Sequence, residues 1–235
     1  MQKPTTELEK LLNTKGYKYV IGLDEAGRGP WAGPLSTGAV VLKDTFEMLE
    51  GVADSKKLTE KKREELFENI KSSVLAYGIG IVTATEIDTL GVSKAVNLGM
   101  LRAIQQVEEM LGCKASYLII DGGTTPIEGY PQQKINKGDL LHYSISAASI
   151  LAKVTRDRIM YEYAKKYPEY AFESHVGYGT AKHMDNLKKY GPCILHRVSY
   201  KPIQDLLTGS TKSDKEGWKY WEELRTDMVN RKRIS

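Results

Sequence analysis

The sequence predicts an α/β fold, a mixed sheet flanked by helices with a helical C-terminal region, from three observations. Two apolar runs near the start, residues 19–24 and 36–42, are separated by a Gly/Pro-rich turn and read as neighbouring strands. Strand and helix periods then alternate from Thr59 to Lys166. Two of the apolar runs end on an acid, Asp24 and Asp121, where charge belongs at the mouth of a buried strand. Early strands in hairpin contact followed by alternation give a mixed sheet.

The elements follow in order. Residues 5–15 predict a short helix with Leu8, Leu11 and Leu12 at helical spacing. Thr59 is placed to cap a helix reaching about residue 73, with Leu66, Phe67, Ile70 and Val74 on one side. Residues 74–83 alternate as a strand. Ser93 is expected to cap a helix to about residue 111, with Val96, Met100, Ala103, Val107 and Met110 facing inward. Residues 117–120 make a short strand, and a long helix over 146–166 is stopped by Pro168. A shorter helix over 180–190 is closed by Gly191-Pro192. Residues 209–214 read as a linker, and 215–231 as a charged helix docked by Trp218 and Trp221, with a partner-binding or nucleic-acid-touching tail as the alternative. The expected organisation is a domain over 1–203 with its C-terminal helices, then a linker and tail over 204–235.

Composition narrows the class. With 41% apolar residues the chain can bury a full core. It has no run near the roughly 18 apolar residues of a membrane span, and its start lacks the apolar stretch of a signal peptide. Two cysteines, Cys113 and Cys193, are too few for a disulfide framework and are expected to be buried bystanders in a reduced cytoplasm. The net charge is +4. Setting four candidate metal-binding acids aside leaves 26 of the 30 acids against 34 Lys and Arg, or +8 elsewhere. A basic surface around an acidic pocket suits a polyanion whose bound cations neutralise the pocket.

Those four acids are Asp24, Glu25, Asp121 and Asp139. Carboxylates converging on one sheet edge repel one another unless a cation sits among them. An all-oxygen set favours Mg2+ or Mn2+ over zinc. Two such ions roughly 4 Å apart can activate a water and stabilise the leaving oxygen of a phosphoryl displacement. Consecutive strand residues point to opposite faces, so the chain must bend at Glu25 or Glu25 must act through its backbone carbonyl. Gly27-Arg28-Gly29-Pro30 follows directly. Its glycines let backbone approach a phosphate or sugar, and Arg28 offers a forked donor. Lys56 and Lys57 precede a helix start, where a phosphate contact is easily arranged. Ser146 and Ser149 could cap the long helix or touch a duplex backbone. Arg156 and Asp157 read as members of structural ion pairs rather than substrate contacts, and His175, His183 and His196 as too scattered for a metal triad.

The segment Asp24-Glu25-Ala26-Gly27-Arg28-Gly29 resembles the opening motif of the type 2 ribonucleases H, bacterial ribonuclease HII in particular. The likeness continues through Asp54-Ser55-Lys56-Lys57-Leu58, Ile120-Asp121-Gly122, Lys137-Gly138-Asp139, the run from Ser146 to Asp157, and His175-Val176-Gly177-Tyr178-Gly179-Thr180. It spans about residues 17 to 203 and fades after His196-Arg197. The resemblance implies a ribonuclease H fold with a five-stranded mixed sheet. It implies that Asp24, Glu25, Asp121 and Asp139 are catalytic and hold Mg2+ or Mn2+. It implies that Gly27, Arg28 and Gly29 read the 2′-hydroxyl and phosphate of an RNA–DNA junction, and that Tyr178 stacks on the following deoxyribose. The expected partners are RNA–DNA hybrids and duplex DNA containing ribonucleotides, cut on the 5′ side of the ribonucleotide by a monomer that does not associate with membranes.

Three departures stand out: Trp31 where a smaller aliphatic residue is expected, Tyr200 where phenylalanine is expected, and Gly123 where asparagine is expected. The first two read as packing changes. The residues before Tyr17 are expected to be too few for the N-terminal domain of type 3 enzymes, and the C-terminus shows no obvious clamp-binding motif. Two other readings of the same residues stay open at this point: a ribonuclease-H-like nuclease acting on DNA without ribose, and a non-catalytic nucleic-acid-binding module.

Overall fold

The computed structural model describes residues 3–45, 47–52, 58–123, 125–209 and 212–234. Asp54, Ser55, Lys56 and Lys57 lie outside the described residues, as does the side chain of Arg233. Five strands form one sheet: β1 (Val20–Ala26), β2 (Leu35–Val41), β3 (Ala76–Val82), β4 (Tyr117–Asp121) and β5 (Gln132–Ile135), in the order β3-β2-β1-β4-β5. β1 runs antiparallel to β2 and parallel to β4, and β4 runs parallel to β5. The helices are α1 (Glu7–Thr14), α2 (Glu60–Ser73), α3 (Ala84–Leu90), α4 (Val92–Leu111), α5 (Gly138–Leu141), α6 (Tyr143–Lys166), α7 (Phe172–His175), α8 (Ala181–Tyr190), α9 (Lys201–Gly209), α10 (Lys212–Glu216) and α11 (Trp221–Ile234). No helix among the described residues is long and apolar enough to cross a membrane.

The chain folds as two compact units. One comprises residues up to 26, 36–81 and 96–155, and the other 27–35, 82–95 and 156 onward. In the first unit, α6 is buried almost all round: Ile145, Ala147, Ala148, Ile150, Leu151 and Ala152 are fully buried. That is why this segment shows no polar face. Its small residues bring backbone against backbone. A Cβ placed on Gly22 of β1 would overlap the Ser144 hydroxyl and lie 2.6 Å from the amide nitrogen of Ile145. Thr59 caps α2 by accepting from the Lys62 amide, and Leu66, Phe67 and Ile70 point into the core. At the β3 edge, Gln106 of α4 donates to the Ile79 carbonyl at 2.8 Å and accepts from the Ile79 amide at 3.0 Å, while Arg102 donates to the Ile81 carbonyl.

The second unit packs around Tyr170, Phe172, Leu187, Cys193, Ile203, Leu207, Trp218 and Leu224. Trp218 is buried, and Trp221 packs against the same cluster, so the tail is docked by its tryptophans. Residues 212–216 are helical rather than linker, and the last helix begins at Trp221. Arg231 of α11 forms a buried ion pair with Asp88 of α3. Three further expectations are corrected. Ser93 lies inside α4 and caps nothing there, because a separate helix, α3, precedes it behind a Thr83–Glu86 capping box. Met110 is 56% exposed, in the last turn of α4. Cys113 is exposed in the turn after α4, whereas Cys193 is buried.

Candidate active site

β1 and β4 lie side by side and parallel, with Leu23 paired to Ile120, so their next residues, Asp24 and Asp121, meet at one end of the sheet. Asp139 joins them from the first turn of α5. One carboxylate oxygen from each of the three lies within 4.8 Å of the others. The approach of α5 is fixed by Asp121, whose Oδ1 accepts from the Gly138 amide at 2.6 Å. Ser146 donates to the Asp139 carbonyl at 2.8 Å. The Ser149 hydroxyl hydrogen-bonds Asp24. Both serines are buried, so neither is a surface contact for a duplex; they brace the acids from α6.

Burial, then the charges of Glu25 and Asp121, push the Asp24 carboxyl well above its ordinary range, against the opposing bonds from Ser149 and the Glu25 amide. Three carboxylates gathered about a buried Asp24 concentrate negative charge at this end of the sheet. A divalent cation would offset that charge, and the all-oxygen donor set fits a hard ion.

Glu25 behaves differently. The β1–β2 ladder runs on without a break through Glu25 opposite Thr37 and Ala26 opposite Ser36. The bend considered from the sequence is therefore absent at this residue. Its amide donates to Asp24 Oδ1 at 2.7 Å, and its charge bears on Asp24, but its carboxylate is outside the three-acid group.

In the second unit, residues 27–35 form the loop containing Gly27, Arg28 and Gly29. Gly27 takes φ +98°, open to glycine alone at little cost. Two fully buried arginines hold the loop by its carbonyls. Arg197 donates to the carbonyls of Gly27, Arg28, Gly33 and Pro34, and to the Tyr200 hydroxyl. Arg156 donates to those of Ala32, Pro34 and Val176. Burial, then the neighbouring Arg197, lowers the Arg156 guanidinium to about 10. Arg156 is thus structural, as expected, and acts through backbone carbonyls. Tyr200 also donates to the Arg28 carbonyl, so its departure from phenylalanine adds a polar tie rather than only changing packing. Tyr178 is 43% exposed, and its Cε1 lies 3.9 Å from the Cβ position of Gly29.

The histidines, far apart in sequence, converge. His175 stacks on His183 with centroids 4.5 Å apart, and His183 Nε2 lies 3.1 Å from His196 Nε2. Trp31 packs over His183. Sequence spacing could not reveal this cluster, nor Arg197, Tyr200 and Ser149, because each acts on a backbone or side chain distant along the chain.

Residues 21–203 match the family model described as Ribonuclease HII. Ribonuclease HII of Geobacillus sp. (strain WCH70) is 46% identical over 222 residues, covering 94% of this chain and 76% of that protein. The crystal structure of ribonuclease H2 from Pyrococcus horikoshii OT3 superposes with a TM-score of 0.64 at 25% identity, over 81% of this chain and 98% of that one. Bst-RNase HIII in complex with Mn2+ shares the fold, with a TM-score of 0.64 at 17% identity over 83% of this chain and 71% of that one. A five-stranded mixed sheet of this order, acids at its parallel strand ends and a match over most of the length leave one conclusion: the chain belongs to the ribonuclease HII family and is a ribonuclease H endonuclease, a metal-dependent hydrolase of nucleic acid.

Proposed function

We propose that this enzyme hydrolyses the phosphodiester on the 5′ side of a ribonucleotide, in duplex DNA with embedded ribonucleotides and in RNA–DNA hybrids. The convergence of Asp24, Asp121 and Asp139 within 4.8 Å is the observation that carries the reading. These acids would hold the metal, with Glu25, at the next position of an unbent β1, contributing through its backbone carbonyl. A pair of bound Mg2+ or Mn2+ ions supplies Lewis-acid activation of water and stabilises the departing 3′-oxygen. A new O–P bond forms from water as the P–O3′ bond breaks, leaving a 3′-hydroxyl and a 5′-phosphate. Support for manganese as a working ion comes from the fold relative solved with Mn2+.

Arg28 and the amides of Gly27 and Gly29 grip the phosphate and the 2′-hydroxyl, the group that separates RNA from DNA at one site. Lys56 adds a further phosphate contact. Tyr178 presents its exposed ring to the deoxyribose that follows. Residues 1–203 carry this activity in a cytoplasmic monomer, with 204–235 as its tail. The role is removal of ribonucleotides and RNA primers. The test is a duplex with one embedded ribonucleotide against the same duplex in DNA alone, with Mg2+ and with EDTA. Cutting of the first alone, abolished by EDTA, is expected. Equal cutting of both, or of neither, overturns the reading.

A further inference from the structure

We propose that His183 is the positioning residue for Tyr178, with His196 acting through it. This deepens the reading of Tyr178 given above and rests on it. The backbone that delivers Tyr178 is strained. Val176, a β-branched residue, sits at φ +42°, and Gly177 follows at +86°. A β-branched side chain at positive φ is an outlier that persists only where the surroundings hold it. Alanine at Gly177 would also drive its Cβ into the Ala32 carbonyl.

Imidazoles supply much of that hold. The Tyr178 amide donates to the His175 carbonyl at 2.8 Å, and His175 Nδ1 accepts from the Gly177 amide at 3.2 Å. His175 Nε2 therefore carries its proton and donates to the Tyr170 carbonyl at 3.0 Å. On the other side, His183 Nδ1 donates to the Tyr178 carbonyl at 2.9 Å. A neutral His183 then accepts at Nε2, so His196 Nε2 donates across the 3.1 Å contact. His196 Nδ1 in turn accepts from the Cys193 amide at 2.9 Å. His196 Nδ1 also lies 3.4 Å from the Cys193 sulfur and 3.3 Å from its carbonyl oxygen, and with the roles above all three rings are neutral. Burial, the largest cause at each, agrees by lowering all three pKa values, His183 to about 4.

The consequence is geometric. The segment from Val176 to Tyr178 is held by two imidazoles stacked on each other, His175 at the Gly177 amide and His183 at the Tyr178 carbonyl. Trp31 and Phe172 close round His183 with centroids 5.6 and 5.7 Å away, so the ring has no room to swing. The Tyr178 side chain is exposed, its ring lying near Gly29 and 5.7 Å from the Arg156 guanidinium, and its carbonyl is held by His183 together with the Thr180 amide at 2.9 Å.

Two substitutions separate position from bulk. Asparagine places its amide nitrogen where His183 Nδ1 stands; glutamine places its amide group near Nε2, where its oxygen accepts from His196. His183→Asn thus keeps the donor to Tyr178 and loses His196, while His183→Gln does the reverse. Both are expected to lower Tm. On a duplex with one embedded ribonucleotide, His183→Gln is expected to raise KM about five- to tenfold with kcat within about twofold, and His183→Asn to stay within about twofold of the parent in both. Added to Tyr178→Ala, His183→Gln is expected to cost nothing more, the non-additivity of residues acting as one unit. The same KM penalty with and without the Tyr178 ring, or His183→Asn as damaging as His183→Gln, overturns the proposal. A Tyr178→Ala protein with unchanged KM removes the reading beneath it instead, and the proposal falls with that reading. Should His183→Gln not fold, His196→Leu, which frees a second His183 tautomer that an asparagine does not have, carries the same comparison, with a smaller KM rise that again vanishes without the Tyr178 ring.

Discussion

Arg197 donates from Nη2 to the carbonyl of Gly27 at 2.7 Å, although the arginine is fully buried and lies 170 residues further along the chain. Its flat fork reaches four carbonyls of one loop, a pattern no flexible ammonium reproduces. Arg197→Lys keeps the charge and loses the fork. We expect it to lower Tm by several degrees and raise KM about tenfold or more for a ribonucleotide-containing duplex. Unchanged KM with lowered Tm would show that the clamp serves folding alone.

Tyr200→Phe is the gentler probe of the same loop. It removes one hydroxyl that donates to the Arg28 carbonyl and accepts from Arg197 at 2.9 Å, and leaves the ring. The expected result is KM up about two- to fivefold, kcat within about twofold and Tm down slightly, as befits one partly redundant hydrogen bond. Steady-state kinetics and a melting curve read all three.

Asp24→Asn should reduce cleavage by about a thousandfold or more while duplex binding persists. In metal-free protein the same change should raise Tm near neutral pH, because it removes a carboxylate crowded by burial, Glu25 and Asp121. The sign follows from the raised folded-state pKa. The folded protein binds that proton more tightly than the unfolded chain does, so its advantage is full below the ordinary carboxylate range and is lost as pH climbs toward the raised value. Metal-free parent protein should therefore lose stability across that interval, and Asp24→Asn should lose less. Divalent cation should reverse the ranking at neutral pH, a crossover visible in thermal melts with and without Mg2+.

Gly22→Ala tests how the site is held. The new methyl would press on Ser144 and the Ile145 amide, so α6 must shift away from β1. Stability should fall by about 1–3 kcal/mol, the usual cost of overpacking. Activity should fall too, because α6 also carries Ser149, which bonds Asp24. Denaturant melts alongside initial rates would show whether the two losses come together.

Legibility tracked locality. The α2 cap at Thr59 and its inward Leu66, Phe67 and Ile70 could be read directly, since a cap and a helical stripe are properties of neighbours. Asp24 and Asp121 could be placed because apolar runs end on them. β5 could not be found from its pattern: Gln132-Gln133-Lys134-Ile135 is polar, and an edge strand needs no apolar alternation. α3 was hidden because its seven residues merge by eye into the strand before and the helix after. The clamp of Arg156, Arg197 and Tyr200 left no trace in spacing, since side chains that bond carbonyls carry no motif on the side they bond.

The β3 edge has a consequence for how this protein meets other chains. Gln106 already satisfies both polar groups of Ile79, as a neighbouring strand would. An incoming strand would have to evict that amide and exchange two made bonds for two new ones, with little net gain to drive it. At Ile79 the sheet therefore ends in chemistry that a passing peptide finds already answered.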